Sequence, residues 1–314
     1  MSKIPFSRGV QSIAPGVWAF LQPNGSWGLN NAGCIVSKGK TLFVDTLFDK
    51  VFTRAMLDEY KERIPDLDIH GDLVVTHANG DHHYGSELFS GRMIATKAFA
   101  LEMDEIPPSF LADLMDIAPE LGGMGAYFQK AFGAFLFRGL SPRKPDLAFE
   151  NELTIRVGDL TVICKDMGPA HTRSDCVVHV LEAKVVFASD ILFIGSTPIL
   201  WEGPVENWID ACEKLLEMDA EVYVPGHGPA GGKKGVMLVR DYWVSLSREA
   251  KKHFDAGLSP RRAARELLGF PYPDWVDPER VVINVHSLYR QWDPSLPKAD
   301  VAELFDQMSR LTAP

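Results

Sequence analysis

Short apolar runs broken by polar turns make up the first 45 residues. Residues 17–21 and 32–36 are apolar and are separated by the turn-rich Gln22-Pro-Asn-Gly-Ser-Trp-Gly28, a pattern that predicts hairpins. The run 41–45 predicts a short buried strand ending in an acid, Asp45. From 50 to 64 the apolar positions Val51, Ala55, Met56, Tyr60 and Ile64 keep helical spacing. Two further strands are expected at 73–76, running straight into His77, and at 93–96.

Between 98 and 147 the pattern changes. Phenylalanines fall at 99, 110, 128, 132, 135 and 137, with another just beyond at 149. Gly122-Gly-Met-Gly125 reads as a break between two helices. The second, 127–137, is apolar nearly all round and must be buried against the crevice side of the protein or a second subunit. Strand alternation resumes at 153–157, 161–164, 176–181 and 185–188, and a helix at 205–218 precedes a strand at 221–224. Beyond 234 the spacing is helical, at 236–256, 260–268, 278–292 and 299–311. Alternating strands and helices predict a layered α/β fold. No linker or solenoid-length repeat divides the chain. Residues 1–314 are therefore read as one domain, with an apolar helical insert at 98–147 and a helical C-terminal extension at 234–314.

Composition narrows the function. A hydrophobic share of 46% over 314 residues supplies a large core without staples. The net charge of −10, with no basic block, argues against nucleic acid and against an anionic membrane surface. No stretch approaches the roughly 20 apolar residues of a spanning helix. No apolar export segment follows the first residues. Cys34, Cys164, Cys176 and Cys212 are far apart and read as reduced, so the expected compartment is the cytoplasm.

Five of the nine histidines sit in three short clusters: Thr76-His-Ala-Asn-Gly-Asp-His-His-Tyr-Gly85, Gly168-Pro-Ala-His-Thr172 and Val224-Pro-Gly-His-Gly228. Each directly follows an apolar strand, where loops project side chains into the crevice of an open α/β sheet. Val186-Phe-Ala-Ser-Asp190 puts a carboxylate in the same kind of place. A lone His after a strand is usually just a hydrogen-bonded residue. Four such elements together point to a divalent metal, which imidazoles and carboxylates bind.

In these residues the chain resembles the metallo-β-lactamase-fold superfamily, whose signature is H-x-H-x-D-H followed by His, Asp and His on later loops. The resemblance covers roughly residues 10 to 230 and implies an αββα sandwich of two mixed sheets with metals at one edge. It implies that Asp45 braces the metal loop and that His77, Asp81, His82, His171, Asp190 and His227 are ligands. It implies Zn2+, one or two ions. Asn79 stands where the family has its second histidine. Site two (Asp81, His82 and His227, with Asp190 shared) is complete, whereas site one (His77 and His171) is weakened, and either weak or filled by a harder metal such as manganese or iron. His83 is expected to face away from its neighbour His82, on an extended backbone, as a supporting or surface residue.

The function implied is a metal-dependent hydrolase. Its metal-bound hydroxide cleaves an ester, lactone, thioester or related bond, with Asp81 or Asp190 orienting the nucleophile and carrying its proton. The Phe-rich insert points to a hydrophobic small-molecule substrate and is consistent with a homo-oligomer. Trp27 resembles the mobile flap of several members, or is an ordinary exposed turn aromatic. Tyr84 is a candidate oxyanion donor or a packing residue, Arg173 a candidate partner for a substrate carboxylate, and Trp201 a candidate pocket wall. The alternatives are a mononuclear non-haem iron oxidoreductase of the persulfide dioxygenase kind, using His77, His171 and Asp190, and a non-catalytic metal-binding protein.

Overall fold

The computed structural model describes residues 4–312. Strands β1 (Gly9–Ala14), β2 (Val17–Leu21), β3 (Ala32–Ser37) and β4 (Lys40–Val44) form an antiparallel meander joined by short connections. Helix α1 (Lys50–Arg63) then carries the chain across to β5 (Asp72–Val74), and from there the pairing is parallel through β6 (Met93–Thr96) to β7 (Leu147–Phe149). The switch follows from the connections, since parallel neighbours need a long crossover. Asp49 starts α1 by accepting a hydrogen bond from Phe52 N, the usual N-terminal cap. The helix buries Met56, Leu57 and Tyr60 on the outer face of this seven-stranded sheet.

Three crossings matter for the site. The single turn α2 (Gly80–His83) lies between β5 and β6. The helices α3 (Lys97–Glu102), α4 (Pro108–Ile117) and α5 (Gly122–Phe132) lie between β6 and β7. The second sheet has five strands in the order β12-β11-β10-β9-β8, formed by β8 (Glu152–Val157), β9 (Leu160–Asp166), β10 (Cys176–Val180), β11 (Val185–Phe193) and β12 (Val222–His227). Its only parallel pair, β11 with β12, is joined through α6 (Val205–Glu217). The chain ends with α7 (Lys233–Asp255), α8 (Pro260–Glu266), α9 (Val281–Trp292) and α10 (Val301–Thr312).

The two sheets face each other through one apolar layer, in which Val17, Leu42 and Val74 meet Val162, Val178 and Val224. They approach closely at Gly33, where a Cβ would lie 2.4 Å from the Phe187 ring. Helices α6, α7 and α9 cover the second sheet, around the fully buried Trp208 and Trp243. The result is the expected helix–sheet–sheet–helix sandwich of two mixed sheets. No helix among the described residues is long and apolar enough to cross a membrane.

The insert departs from its expected outline. The break between two helices is there, between α4 and α5, but it falls at 118–121; the glycines at 122, 123 and 125 form the first turn of α5, which ends at Phe132 rather than at 137. Phe135 and Phe137 are buried from the non-helical segment that follows. Nor is α5 apolar all round: Tyr127, Phe128 and Phe132 are buried while Gln129 and Lys130 are exposed. The apolar excess that suggested a fully buried helix comes from two separate segments packing on one core.

Candidate active site

His77 lies just beyond β5 and is buried. The turn after it is held from below by Asp45, whose φ is +61°, a conformation that Asp tolerates better than most side chains. The Asp45 carboxylate accepts hydrogen bonds from Thr76 N and Thr76 Oγ1, each at 2.8 Å, and lies 2.9 Å from His82 Nδ1. Nδ1–H of His82 therefore donates to Asp45, and Nε2 is left to face the cluster. Asp81 and His82 are consecutive on the α2 turn, and both reach the cluster. His83, about 100° further round that turn, does face away, but on a helical backbone rather than an extended one. It is buried, not at the surface. Its ring packs against Tyr84 and Phe99, and its Nε2 lies 3.2 Å from the Ala78 carbonyl.

His171 follows β9 in a loop tied together by Asp175, which accepts hydrogen bonds from Ala170 N, Thr172 N and Thr172 Oγ1. Its Nδ1 lies 2.6 Å from the Ile199 carbonyl. A carbonyl only accepts, so Nδ1 carries the hydrogen and Nε2 is a lone-pair acceptor. Asn79 Nδ2 donates to that Nε2 at 2.9 Å. Asp190 was expected at a strand end but sits inside β11, at a shift in register where Ser189 has φ +48°. This irregularity, rather than a loop, turns its carboxylate into the cluster. Gly226 leaves room for it: a Cβ there would lie 1.8 Å from Asp190 Oδ1. His227 is the last residue of β12, and its ring stacks on Phe193 with centroids 4.9 Å apart.

Asp190 is the hub. Its oxygens lie 3.1 Å from His82 Nε2, 3.3 Å from His171 Nε2, 3.5 Å from His227 Nε2 and 3.7 Å from His77 Nε2. Asp81 is 3.4 Å from His227 Nε2. Two sets of ligand atoms are close enough to share an ion, namely His77, His82 and Asp190, and Asp81, His82 and His227. His77 Nε2, His82 Nε2 and Asp190 Oδ1 are buried with no hydrogen-bond partner, a costly state unless something else binds them. Burial, with the charge of His82 alongside, holds His77 well below its ordinary pKa. Burial opposes charge on His82 too, but Asp190, Asp81 and Asp45 raise its pKa well above the usual value. Two buried carboxylates thus demand positive charge from their surroundings. A divalent cation fits that demand and the orphaned atoms together.

Above the cluster is a cavity of about 220 Å³. Asp81, His171, Asp190 and His227 line its floor, and Trp27, Phe48, Phe110, Phe128, Phe132 and Phe305 are among its walls. The insert therefore covers the crevice, together with α10. Trp27 is not a free flap. Its Nε1 donates to Tyr127 Oη at 3.1 Å, its ring meets those of Phe132 and Phe305, and the Arg280 guanidinium lies 4.3 Å from it. The neighbouring Ser26 Oγ donates to Asp277, which pairs with Arg280 at 2.9 Å. Trp201 lines the cavity. Tyr84 lines it too, but its hydroxyl donates to the Ile106 carbonyl and is not free for an oxyanion. Arg173 is not among the lining residues; it pairs with Glu102 and Glu105. Glu102, Arg280 and Phe305 line the cavity without having been singled out from sequence. They lie far from the histidine clusters along the chain, and no local spacing marks them.

A family model described as the Metallo-beta-lactamase superfamily matches residues 25–227. Acyl-coenzyme A thioesterase MBLAC2 of Bos taurus is 25% identical over 108 residues, which cover 32% of this chain and 38% of that protein. The Homo sapiens protein of the same name matches to the same extent. The chain thus spans well under half the length of the curated relatives it matches. Among solved structures, the stereoselective inverting sec-alkylsulfatase Pisa1 from Pseudomonas sp. superposes with a TM-score of 0.67 at 17% identity, over 93% of this chain and 52% of that one. A metallo-beta-lactamase from Pontibacter korlensis superposes with a TM-score of 0.56 at 18% identity, over 76% of this chain and 99% of that one. At these identities the likeness is one of fold.

Proposed function

The chain belongs to the metallo-beta-lactamase superfamily, and from that premise we propose that it is a metal-dependent hydrolase acting on an ester, lactone, thioester or related bond of an apolar small molecule. One observation carries the reading: six buried His and Asp side chains cluster around Asp190, and four of them, Asp81, His171, Asp190 and His227, form the floor of a cavity with aromatic walls. Asp81, His82 and His227, with Asp190, would hold one ion, and His77 and His171, with Asp190, a weaker second one. Zinc suits such donors. When bound, the ion supplies a Lewis acid for the scissile carbonyl and a means of ionising water near neutral pH.

The chain's own residues do the rest. Asp81 and Asp190 accept hydrogen bonds from the attacking water, orient it and take its proton. Asp45 keeps His82 in the tautomer that offers Nε2, and Ile199 does the same for His171. The aromatic walls hold the apolar part of the substrate and exclude bulk water, as small-molecule sites generally do. The thioesterase and alkylsulfatase named above support cleavage of a bond to an acyl or alkyl group.

The iron oxidoreductase alternative needs His77, His171 and Asp190 as one set. Those are the residues of the weaker site here; the alternative leaves the separate set of Asp81, His82 and His227 without a role, so hydrolysis is the better supported. Elemental analysis of the purified protein, paired with a panel of p-nitrophenyl esters, lactones and thioesters, tests the reading. The expected result is bound zinc and hydrolysis that a chelator abolishes. A metal-loaded protein that cleaves none of them, or iron near one per chain with oxygen uptake, would overturn it.

A further inference from the structure

Ser189 is the one residue of β11 with a positive φ, +48°. A glycine would take that conformation at no steric cost, whereas a serine in it is strained. Strain of this kind persists only where the surroundings hold it, and it gathers at functional sites. The Ser189 side chain is buried. Its Oγ lies 2.6 Å from Thr76 Oγ1 and 3.3 Å from His77 Nδ1. Thr76 Oγ1 in turn lies 2.8 Å from Asp45 Oδ2 and 3.2 Å from His77 Nδ1.

These distances leave one way to place the hydrogens. The Asp45 carboxylate only accepts, so the single hydrogen of the Thr76 hydroxyl goes to it. Thr76 Oγ1 can then only accept, and the Ser189 hydroxyl must donate to it across 2.6 Å. With both hydroxyl hydrogens committed, neither oxygen has one to offer His77 Nδ1. That nitrogen must be the donor, shared between the two oxygens. Nδ1 therefore carries the ring hydrogen, and the lone pair is left on Nε2, which is buried with no hydrogen-bond partner and lies 3.7 Å from Asp190. Asp45 fixes the tautomer of His82 directly. Through the two hydroxyls it fixes His77 as well.

We propose that Ser189 is a positioning residue for the metal centre: with Thr76 it passes the pull of Asp45 on to His77 and holds that ring in the tautomer that offers Nε2 to an ion. An orienting carboxylate usually touches the ring it orients. Here it acts on His77 through a relay, and the relay explains why a strained serine stands where glycine would be easier. Neither Ser189 nor Thr76 is among the residues lining the cavity, so the effect is exerted through His77. The proposal rests on the metal-site reading above, but the tautomer can be read with no metal present.

The test measures tautomer and metal affinity separately. A long-range proton–nitrogen NMR spectrum of the metal-free protein, isotopically labelled on histidine, distinguishes a ring nitrogen that bears hydrogen from one that does not. The His77 signals are those lost in His77→Gln. In the unmodified protein the hydrogen should be on Nδ1. In Thr76→Val the Ser189 hydroxyl loses its acceptor and turns to Nδ1, so the ring hydrogen should move to Nε2. Thr76→Ser, which keeps the hydroxyl, should match the unmodified protein. In a calorimetric zinc titration, Ser189→Gly should loosen the weaker step about 10-fold, the lower end of what losing an orienting partner costs, because Thr76 Oγ1 still faces Nδ1. The stronger step should hold. So should the melting temperature, since relief of the positive φ offsets the lost hydrogen bonds. A ring hydrogen on Nε2 in the unmodified protein, or one that stays on Nδ1 in Thr76→Val, overturns the relay. A weaker step unchanged in Ser189→Gly overturns it too, as does an equal loss at both steps, which would mean that the adjoining Asp190 has shifted. If the unmodified protein binds no zinc, the metal-site reading falls and this proposal with it.

Discussion

The Gly226→Ala variant isolates the hub of the cluster. A Cβ at position 226 would lie 1.8 Å from Asp190 Oδ1 and 2.9 Å from its Cγ, whereas ordinary contact begins at 3.4 Å. The difference between 3.4 and 1.8 Å means that the carboxylate must retreat by about 1.6 Å. Coordination distances tolerate only about ±0.2 Å, so Asp190 can no longer serve either ligand set. Gly226 is not among the residues with positive φ, so alanine meets no dihedral penalty there, although its Cβ would also lie 2.8 Å from the Ser189 backbone carbon, which must give a little too. The remaining cost is overpacking, about 1–3 kcal/mol, small enough for the fold to survive. The expected outcome is a protein that still melts cooperatively, a few degrees lower, but retains little metal after dialysis and no hydrolytic activity. Elemental analysis alongside a thermal melt checks it. A variant with the metal content of the unmodified protein would show that Asp190 does not hold the ions, and the central argument for the site would fail.

Asn79→His should tighten the weaker metal-binding step in a calorimetric zinc titration of the apo protein. It adds a ligand and removes a hydrogen bond to His171 Nε2 worth about 1 kcal/mol, roughly fivefold in affinity. Two equally tight sites before the substitution, unchanged after it, would contradict this. Phe305 stacks on Phe128 with centroids 4.5 Å apart, and Phe305→Ala should cost about 3–5 kcal/mol of stability. It should also raise KM more for long acyl esters than for short ones; a uniform change across the series would detach α10 from substrate binding. Burial lowers the His83 pKa from 6.5 to about 4. Between those values the unfolded chain binds a proton that the folded chain refuses. Stability should therefore be complete above pH 6.5 and fall towards pH 4 by up to about 3 kcal/mol. Denaturant melts at pH 7 and pH 5 on His83→Gln, which keeps a donor for the Ala78 carbonyl, should show less acid loss than the unmodified protein; equal losses would exonerate His83.

The parts legible in the sequence are those where chemistry and periodicity coincide. Strands such as β2, β3, β6 and β8 bury alternating or continuous apolar runs, and two of the three His clusters follow strands, while the third lies in β12 itself and ends it at His227. β1 was not legible. It lies at a sheet edge, where only Val10 and its neighbour Gly9 are buried, so its composition carries no strand signal. β7 is three residues long, two of them exposed. Asp190 could be chosen as a cluster residue but not placed, because the register shift at Ser189 depends on packing against β12. The extended backbone expected at His83 came from treating 76–85 as a strand and its loop; the turn of α2 forms where Gly80 lets the Tyr84 ring approach, with a would-be Cβ 2.5 Å away. Glu102 and Arg280 were invisible because their meaning is entirely tertiary.

The hydrogen bond from Ser26 to Asp277 spans 251 positions of the chain, and it has a consequence in the order of synthesis. Translation proceeds at about 5–20 residues per second, and N-terminal parts fold first. The last cluster residue, His227, is made 78 residues before Phe305, an interval of about 4 to 16 s at those rates. For that time the metal-seeking side chains exist while Trp27 lacks both Arg280 beneath it and Phe305 beside it. Until then the cavity above the cluster lacks the part of its wall that Arg280, Val301 and Phe305 supply in the finished protein.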